Sequence, residues 1–406
     1  MSGLSRDGVA HMHDLLAAHV ARRQMPGLTA LVARDDDVHV EVIGTQSFTD
    51  PTPLARGSIF RIASLTKPIA AVTALALVED GTLRLDDPID GLVPELANRR
   101  VLRAIDAELD DTAPARRSIA LADLLTFRMG FGSVMAEPDS FPIQRAEAAL
   151  GLRSIGGPPW PPGPLDVDGW IAALGSLPLM FQPGERWLYN TSAQVLGVLL
   201  ARAAGTDLGT LMHERIFDPL GMDDTGFFVP PHKLGRFTTF YAPDPESGEL
   251  SVLDEPDHSH WNRPPAFPDA SGWLVSTIDD YWKFVAMLAA AGTRDGVRVL
   301  TEATVARMSA DHVTPAQRAG MEVFFPEHAS WGLGMEVPAS GSETTPLPCG
   351  YGWDGGSGTV WRTNTHHGTT GILLTQRALT SPEPPQVYDD FWTGVTAATG
   401  GGSDPD

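Results

Sequence analysis

The chain has 406 residues, 42% of them hydrophobic, with 29 basic and 51 acidic side chains and a formal net charge of −22. That length has room for two or three domains and a sizeable core. So acidic a chain lacks the basic face that nucleic acid or an anionic membrane requires of a partner. The single cysteine, Cys349, excludes an internal disulfide and a cysteine-rich zinc site. Only Lys67, Lys233 and Lys283 are lysines, and every other basic residue is an arginine. Arginine replaces lysine on a surface but not where the group must give up its proton, so each lysine position is informative.

In chain order, Val9, Met12, Leu16 and Val20 recur at helical spacing and predict an amphipathic opening helix ended by Met25-Pro26-Gly27. The β-rich runs Thr29–Ala33 and Val38–Ile43 flank Asp35-Asp36-Asp37 and read as a hairpin. A short run, Ile59–Ile62, leads into Ser64. From there to Leu77 an Ala- and Leu-rich segment predicts a buried helix ended by Asp80-Gly81. Residues 85–270 are rich in Pro, Gly and short helical runs such as Leu121–Leu125, Val195–Ala203 and Leu208–Ile216. The stretch Gly156–Gly163 reads as a loop. β character returns at Trp331–Val337, Gly358–Thr363 and Gly371–Gln376, and Val387, Phe391 and Val395 mark a closing helix. The expected architecture is an α/β (α+β) sheet domain from residues 1–84 and 271–406, interrupted by a mainly helical domain over 85–270. A disordered tail is expected at 400–406.

Ser64-Leu65-Thr66-Lys67 is a Ser-x-x-Lys motif opening an apolar helix. At i and i+3 both side chains share one helix face. A serine hydroxyl needs a base beside it to attack a carbonyl, and burial makes a lysine amine available for that work. Partial positive charge at the helix start favours a developing oxyanion. Two further segments stand out: Gln182 to Thr191, which contains Tyr189 and precedes a helical run, and Gly352-Trp353-Asp354-Gly355-Gly356, which precedes a β-run.

With these segments the chain resembles the serine β-lactamase and penicillin-binding-protein superfamily, and within it the class C β-lactamase-like esterases known as family VIII carboxylesterases. Leu85–Pro88, Asp218–Thr225, Ser276–Asp279 and Trp331–Gly334 extend the resemblance over nearly the whole chain. It implies that Ser64 is the acylated nucleophile and Lys67 its partner. Tyr189 is then the general base, and the N–H groups of Ser64 and Gly356 form the oxyanion hole. Trp353, Asp354 and Gly355 occupy the third motif, on the edge strand beside the nucleophile.

Two positions depart from the pattern. Thr191 stands where the tyrosine motif usually has asparagine, and Trp353 where the third motif usually offers Lys or His. A short hydroxyl and an indole suit a neutral, partly apolar ester better than the amide and carboxylate of a penicillin or peptide. Phe127 and Phe131, near the family's usual His-Thr-Ser-Gly segment, are candidates for an apolar pocket wall or for core packing.

Other signals carry less. Gly-x-Ser-x-Gly is absent. Gly350 to Gly355 matches a dinucleotide fingerprint but lacks a βαβ setting. His258-Ser259-His260 has no further metal-ligand pattern. No apolar run reaches about 18 residues, and residues 1–25 show no signal-peptide core. The expectation is a cytoplasmic serine carboxylesterase that needs no cofactor or metal and takes a small-molecule ester, with no nucleic-acid or membrane partner. An acyltransferase using the same acyl-enzyme stands as the alternative. Behind it come β-lactamase or D-amino-acid peptidase activity, and then a non-catalytic binding protein.

Overall fold

The computed structural model describes residues 3–152, 165–244, 246–342, 344–381 and 383–400. The expected loop Gly156–Gly163 and all but the first residue of the expected tail lie outside the described residues.

A seven-stranded sheet is built from both ends of the chain. Its order is Ala329–Trp331, Glu336–Pro338, Tyr351–Gly355, Thr359–Asn364, Thr369–Thr375, Gly27–Arg34, Asp37–Gly44, and every neighbouring pair is antiparallel. The first hairpin thus docks beside the last strand, with Leu31 opposite Ile372.

Strand residues alternate between two apolar faces, as a pleat with period two demands. Leu28, Ala30, Val32, Val360 and Leu373 face one cluster. It is completed by Met12 and Leu16 of the opening helix Arg6–Ala21 and by Phe391 and Val395 of the closing helix Gln386–Thr399. Leu31, Ala33, Trp361, Ile372 and Leu374 face the larger core, with Ile69, Val72 and Phe284. Burial on both faces makes the central strands nearly all apolar or small.

The opening helix starts at Ser5, whose side chain accepts from the Gly8 N–H. The region between the sheet's two halves is rich in helices, chiefly Val167–Ser176, Thr191–Ala204 and the run Leu208–Leu220. Among the described residues it also carries four small two-stranded sheets. The larger core is continuous from the sheet into this region, through Leu124, Trp187, Leu196 and Leu199. Among the described residues no single helix is long and apolar enough to cross a membrane.

Two strand expectations change. Trp331–Val337 is a tight hairpin of two strands, not one run. Gly334, at φ +85°, turns it, and a side chain there would strike Ala71 of the helix that carries Lys67. Tyr351–Gly355 is itself a strand, paired to Thr359–Asn364, and lies inside the sheet rather than at its edge. It meets the outer hairpin only at Gly352 opposite Glu336. Most of that side of the strand is therefore open to the cleft.

Candidate active site

The strand Phe60–Arg61, paired with Val275–Ser276, delivers the chain into a single 3-10 turn, Ala63–Leu65, ahead of the helix Thr66–Glu79. Ala63 sits at φ +43°, a conformation a residue with a Cβ takes only where its surroundings impose it. Those surroundings are specific. Ser357 Oγ donates to the Arg61 carbonyl (2.6 Å) and Thr359 Oγ1 to that of Ile62 (3.1 Å), while the Ile62 N–H donates to Leu274 O (3.0 Å). Gly355 presses against this turn, and a Cβ there would lie 2.7 Å from the Ile62 oxygen.

Ser64 and Lys67 are each 1% exposed. Lys67 Nζ lies 2.9 Å from Ser64 Oγ, 2.8 Å from Asn190 Oδ1 and 2.6 Å from the Ser271 carbonyl oxygen. Tyr189 Oη donates to Ser64 Oγ at 2.8 Å, and the Trp353 indole N–H donates to Tyr189 Oη at 3.1 Å. The three sequence-predicted residues are thus brought together, and Trp353 joins them.

Asn190 was not anticipated. It holds φ +78°, ψ −62°, and the Thr191 N–H bonds back to the Tyr189 carbonyl at 3.1 Å, a γ-turn. The turn aims the Asn190 amide at Lys67. Thr191 begins the following helix, is buried, and does not line the cleft. The asparagine beside the tyrosine was the available sequence signal, one place before the position the family pattern points to.

Burial pulls the Lys67 ammonium down to about 7, with the Asp269 carboxylate opposing the shift. Burial pushes the Tyr189 phenol up to about 12; its hydrogen bonds with Ser64 and Trp353 work against this, and Asp354 adds to it. Near neutral pH the readily deprotonated group beside Ser64 is therefore the amine.

A cavity of about 590 Å³ adjoins this constellation and is lined by Tyr189, Trp353 and Ala63, with Ser64 and Lys67 just behind that surface. Tyr189, Phe324, Trp353 and Val323 form one wall, and Phe240, Leu253, Trp261 and Leu379 supply apolar surface elsewhere. Gly356, Gly355 and Asp354 lie on its surface with Ala63. Phe324 stacks on the Tyr189 ring at 4.8 Å. Three charged side chains also face the cavity in a bonded group: Arg362 donates to Asp354 (2.7 Å) and to Glu336 (3.0 Å).

A family model, Beta-lactamase, matches residues 12–389. Protein Rv1367c of Mycobacterium tuberculosis is 37% identical, with 82% of this chain and 81% of the relative covered. The chain belongs to the Beta-lactamase family. Esterase EstB of Burkholderia gladioli is 28% identical over 88% of this chain and 87% of its own length. Two solved structures share the fold. Simvastatin synthase (LovD) from Aspergillus terreus has a TM-score of 0.78, 23% identity and 99% and 100% coverage. EstCE1, described as a hydrolase with promiscuous acyltransferase activity, has 0.76, 21% and 95% and 99%.

Within this Beta-lactamase family frame, the third-motif residue Trp353 contributes more than wall surface, because its indole N–H holds the phenol oxygen. Phe127 and Phe131 are not on the cleft surface and belong to the core. Phe127, at φ +55°, turns its ring inward against Trp331 (4.7 Å) and Trp187 (5.8 Å), behind Tyr189. Their segment still borders the site through its backbone: the Ser133 N–H donates to the Tyr189 carbonyl at 2.9 Å. His258 and His260 lie in successive 3-10 turns. Among the described residues no cluster of His, Cys, Asp or Glu could hold a metal ion.

Proposed function

We propose that the protein is a serine carboxylesterase that hydrolyses small to medium, neutral or partly apolar esters through an acyl-enzyme on Ser64. The observation that carries this reading is the position of Ser64 Oγ. It lies 2.9 Å from a buried amine and 2.8 Å from a buried phenol that lines a mainly apolar cavity.

We assign the base role to Lys67 rather than Tyr189. A neutral amine has two N–H donors, and Asn190 Oδ1 and the Ser271 carbonyl can only accept. Those two acceptors use both donors and turn the amine's lone pair toward the Ser64 hydroxyl. Ser64 then attacks the ester carbonyl as Lys67 takes its proton. The tetrahedral oxyanion is stabilised by the N–H groups of Ser64 and Gly356. Tyr189, still a phenol, supplies a proton to the departing alkoxide. The phenolate left behind takes a proton from the attacking water, and Lys67 returns its proton to Ser64 Oγ as the acid is released.

The nature of the walls supports a neutral substrate. Arg61, which also faces the cavity, is ion-paired with Asp254, and Arg362 is paired twice. Neither is left as a free cation for a substrate carboxylate. The relative named esterase EstB and the structure described as a hydrolase with promiscuous acyltransferase activity support acyl-enzyme chemistry. Hydrolysis of short p-nitrophenyl esters should be lost in Ser64→Ala; undiminished hydrolysis in that variant would overturn the assignment.

The cavity's size favours a second reading, acyl transfer, since about 590 Å³ can hold an acyl group and an acceptor alcohol together. The ratio of transfer to hydrolysis with added alcohols separates the two. A chromogenic cephalosporin tests the weaker β-lactamase reading.

A further inference from the structure

Lys67's two non-reacting acceptors come from segments far apart in sequence: Asn190 at the head of the helix Thr191–Ala204, and Ser271 in the loop before Val275–Ser276. One buried side chain joins them. Asp269, 2% exposed, accepts from the Ser271 N–H through Oδ1 (2.7 Å) and from Gln194 Nε2 through Oδ2 (2.9 Å). Gln194 lies one helical turn beyond Asn190. The Asp269 carbonyl also accepts from the N–H groups of Gly272 (3.2 Å) and Trp273 (3.1 Å), which closes the loop around Ser271.

We propose that Asp269 is the positioning residue for the base: it clamps the two segments that hold Lys67 and supplies the negative charge that Lys67 senses. This rests on the Ser64–Lys67 reading above. The groups packed around Lys67 are few. Tyr189 comes from the turn before the helix, and Asp354, from the strand that bears Trp353, acts on that phenol. Asp269 is the acid that favours the charged amine, against the burial that disfavours it. His260 and Arg263 line a separate cavity on the side of Asp269, together with Gln194 and Trp273. The Asp269 carboxylate accepts from the Ser271 N–H and the Gln194 amide, and the same Ser271 residue offers its carbonyl to Nζ.

The sign follows. Removing the negative charge destabilises the ammonium, so Lys67 sheds its proton at lower pH. It also becomes a weaker base. Asp269→Asn is nearly isosteric, and a flip of the Gln194 amide restores its hydrogen bond. The readout is the rate at which a fluorophosphonate labels Ser64, followed from pH 5 to 9, which requires no knowledge of the substrate. The acid limb of that profile should move down by about one pH unit, with a plateau several-fold lower. Asp269→Ser, also uncharged but still offering an acceptor to the Ser271 N–H, should move it in the same direction if Asp269→Asn folds poorly. Asp269→Glu, which keeps the charge, should leave the limb near its wild-type position. A limb that stays in place in the uncharged variants, whatever the plateau does, would overturn the proposal while leaving the Ser64 assignment intact. Wild-type protein that the probe fails to label would remove the Ser64 assignment itself, and this inference with it.

Discussion

Lys67 and Arg362 are both buried cations beside one cleft, and they are held in opposite ways. Arg362 is bonded directly to two carboxylates, Glu336 and Asp354. Burial works against its charge, but Asp354 and Glu336 outweigh burial and hold the guanidinium above its ordinary value. Lys67 meets only uncharged oxygens, and burial wins, bringing it down to about 7. The other two lysines are less buried and each pairs with a carboxylate, Lys233 with Asp224 and Lys283 with Asp280. Burial alone therefore does not make a cation reactive. A permanent charge comes from carboxylates in contact, and a removable one from neutral acceptors.

The largest break in this contrast is Lys67→Arg. It keeps a cation in the pocket but one that cannot lose its proton. Turnover of p-nitrophenyl esters should fall by about a thousand-fold or more, with the circular dichroism spectrum unchanged. Tyr189→Phe removes the proton donor to the leaving group and leaves the ring stack in place. A loss of about a hundred-fold in kcat/KM is expected, smaller for esters with good leaving groups such as p-nitrophenol.

At the second cation, Arg362→Met leaves two carboxylates without their partner. Breaking a buried pair from one side costs about 3 kcal/mol, so the loss should appear in the denaturation midpoint. Burial already pushes Glu336 up to about 7, Arg362 opposing and Asp354 adding, so protonation of Glu336 should soften the loss at acid pH.

Lys67→Met tests the same idea through stability. The lysine binds its proton up to its ordinary value, 10.5, in the unfolded chain but only up to about 7 in the native one. Between those values the unfolded state holds more protons, so native stability rises with pH across this window. The cost of Lys67 is fully present below pH 7. Lys67→Met should therefore be more stable than wild type at pH 6, and the difference should shrink toward pH 10 in paired urea titrations. The smallest effect is Trp353→Phe, which keeps a ring against Trp331 and Tyr189 but removes the indole donor to Tyr189 Oη. A several-fold fall in kcat with little change in KM is expected.

Ser64, Lys67 and Tyr189 were legible in the sequence because their signals are local: an i, i+3 pair on an apolar helix and a tyrosine with characteristic flanks. The two-ended sheet was legible because its strands are apolar runs near the termini. Asn190, Ser271, Asp269 and Phe324 were not, because each acts through a partner contributed by another segment of the chain. The two phenylalanines mark the same limit from the other side. An aromatic ring near a motif serves equally as a wall or as core, and only the packing of the folded chain places both rings in the core.

The sequence by itself determined the chemistry that is possible here, since one of only three lysines in a chain rich in arginine stands three residues after a serine and specifies a group able to give up its proton. The tertiary structure decided how that group is used. Proton affinity depends on what surrounds the amine, and here those surroundings are burial, two neutral oxygens from segments about 80 residues apart, and one buried carboxylate behind them.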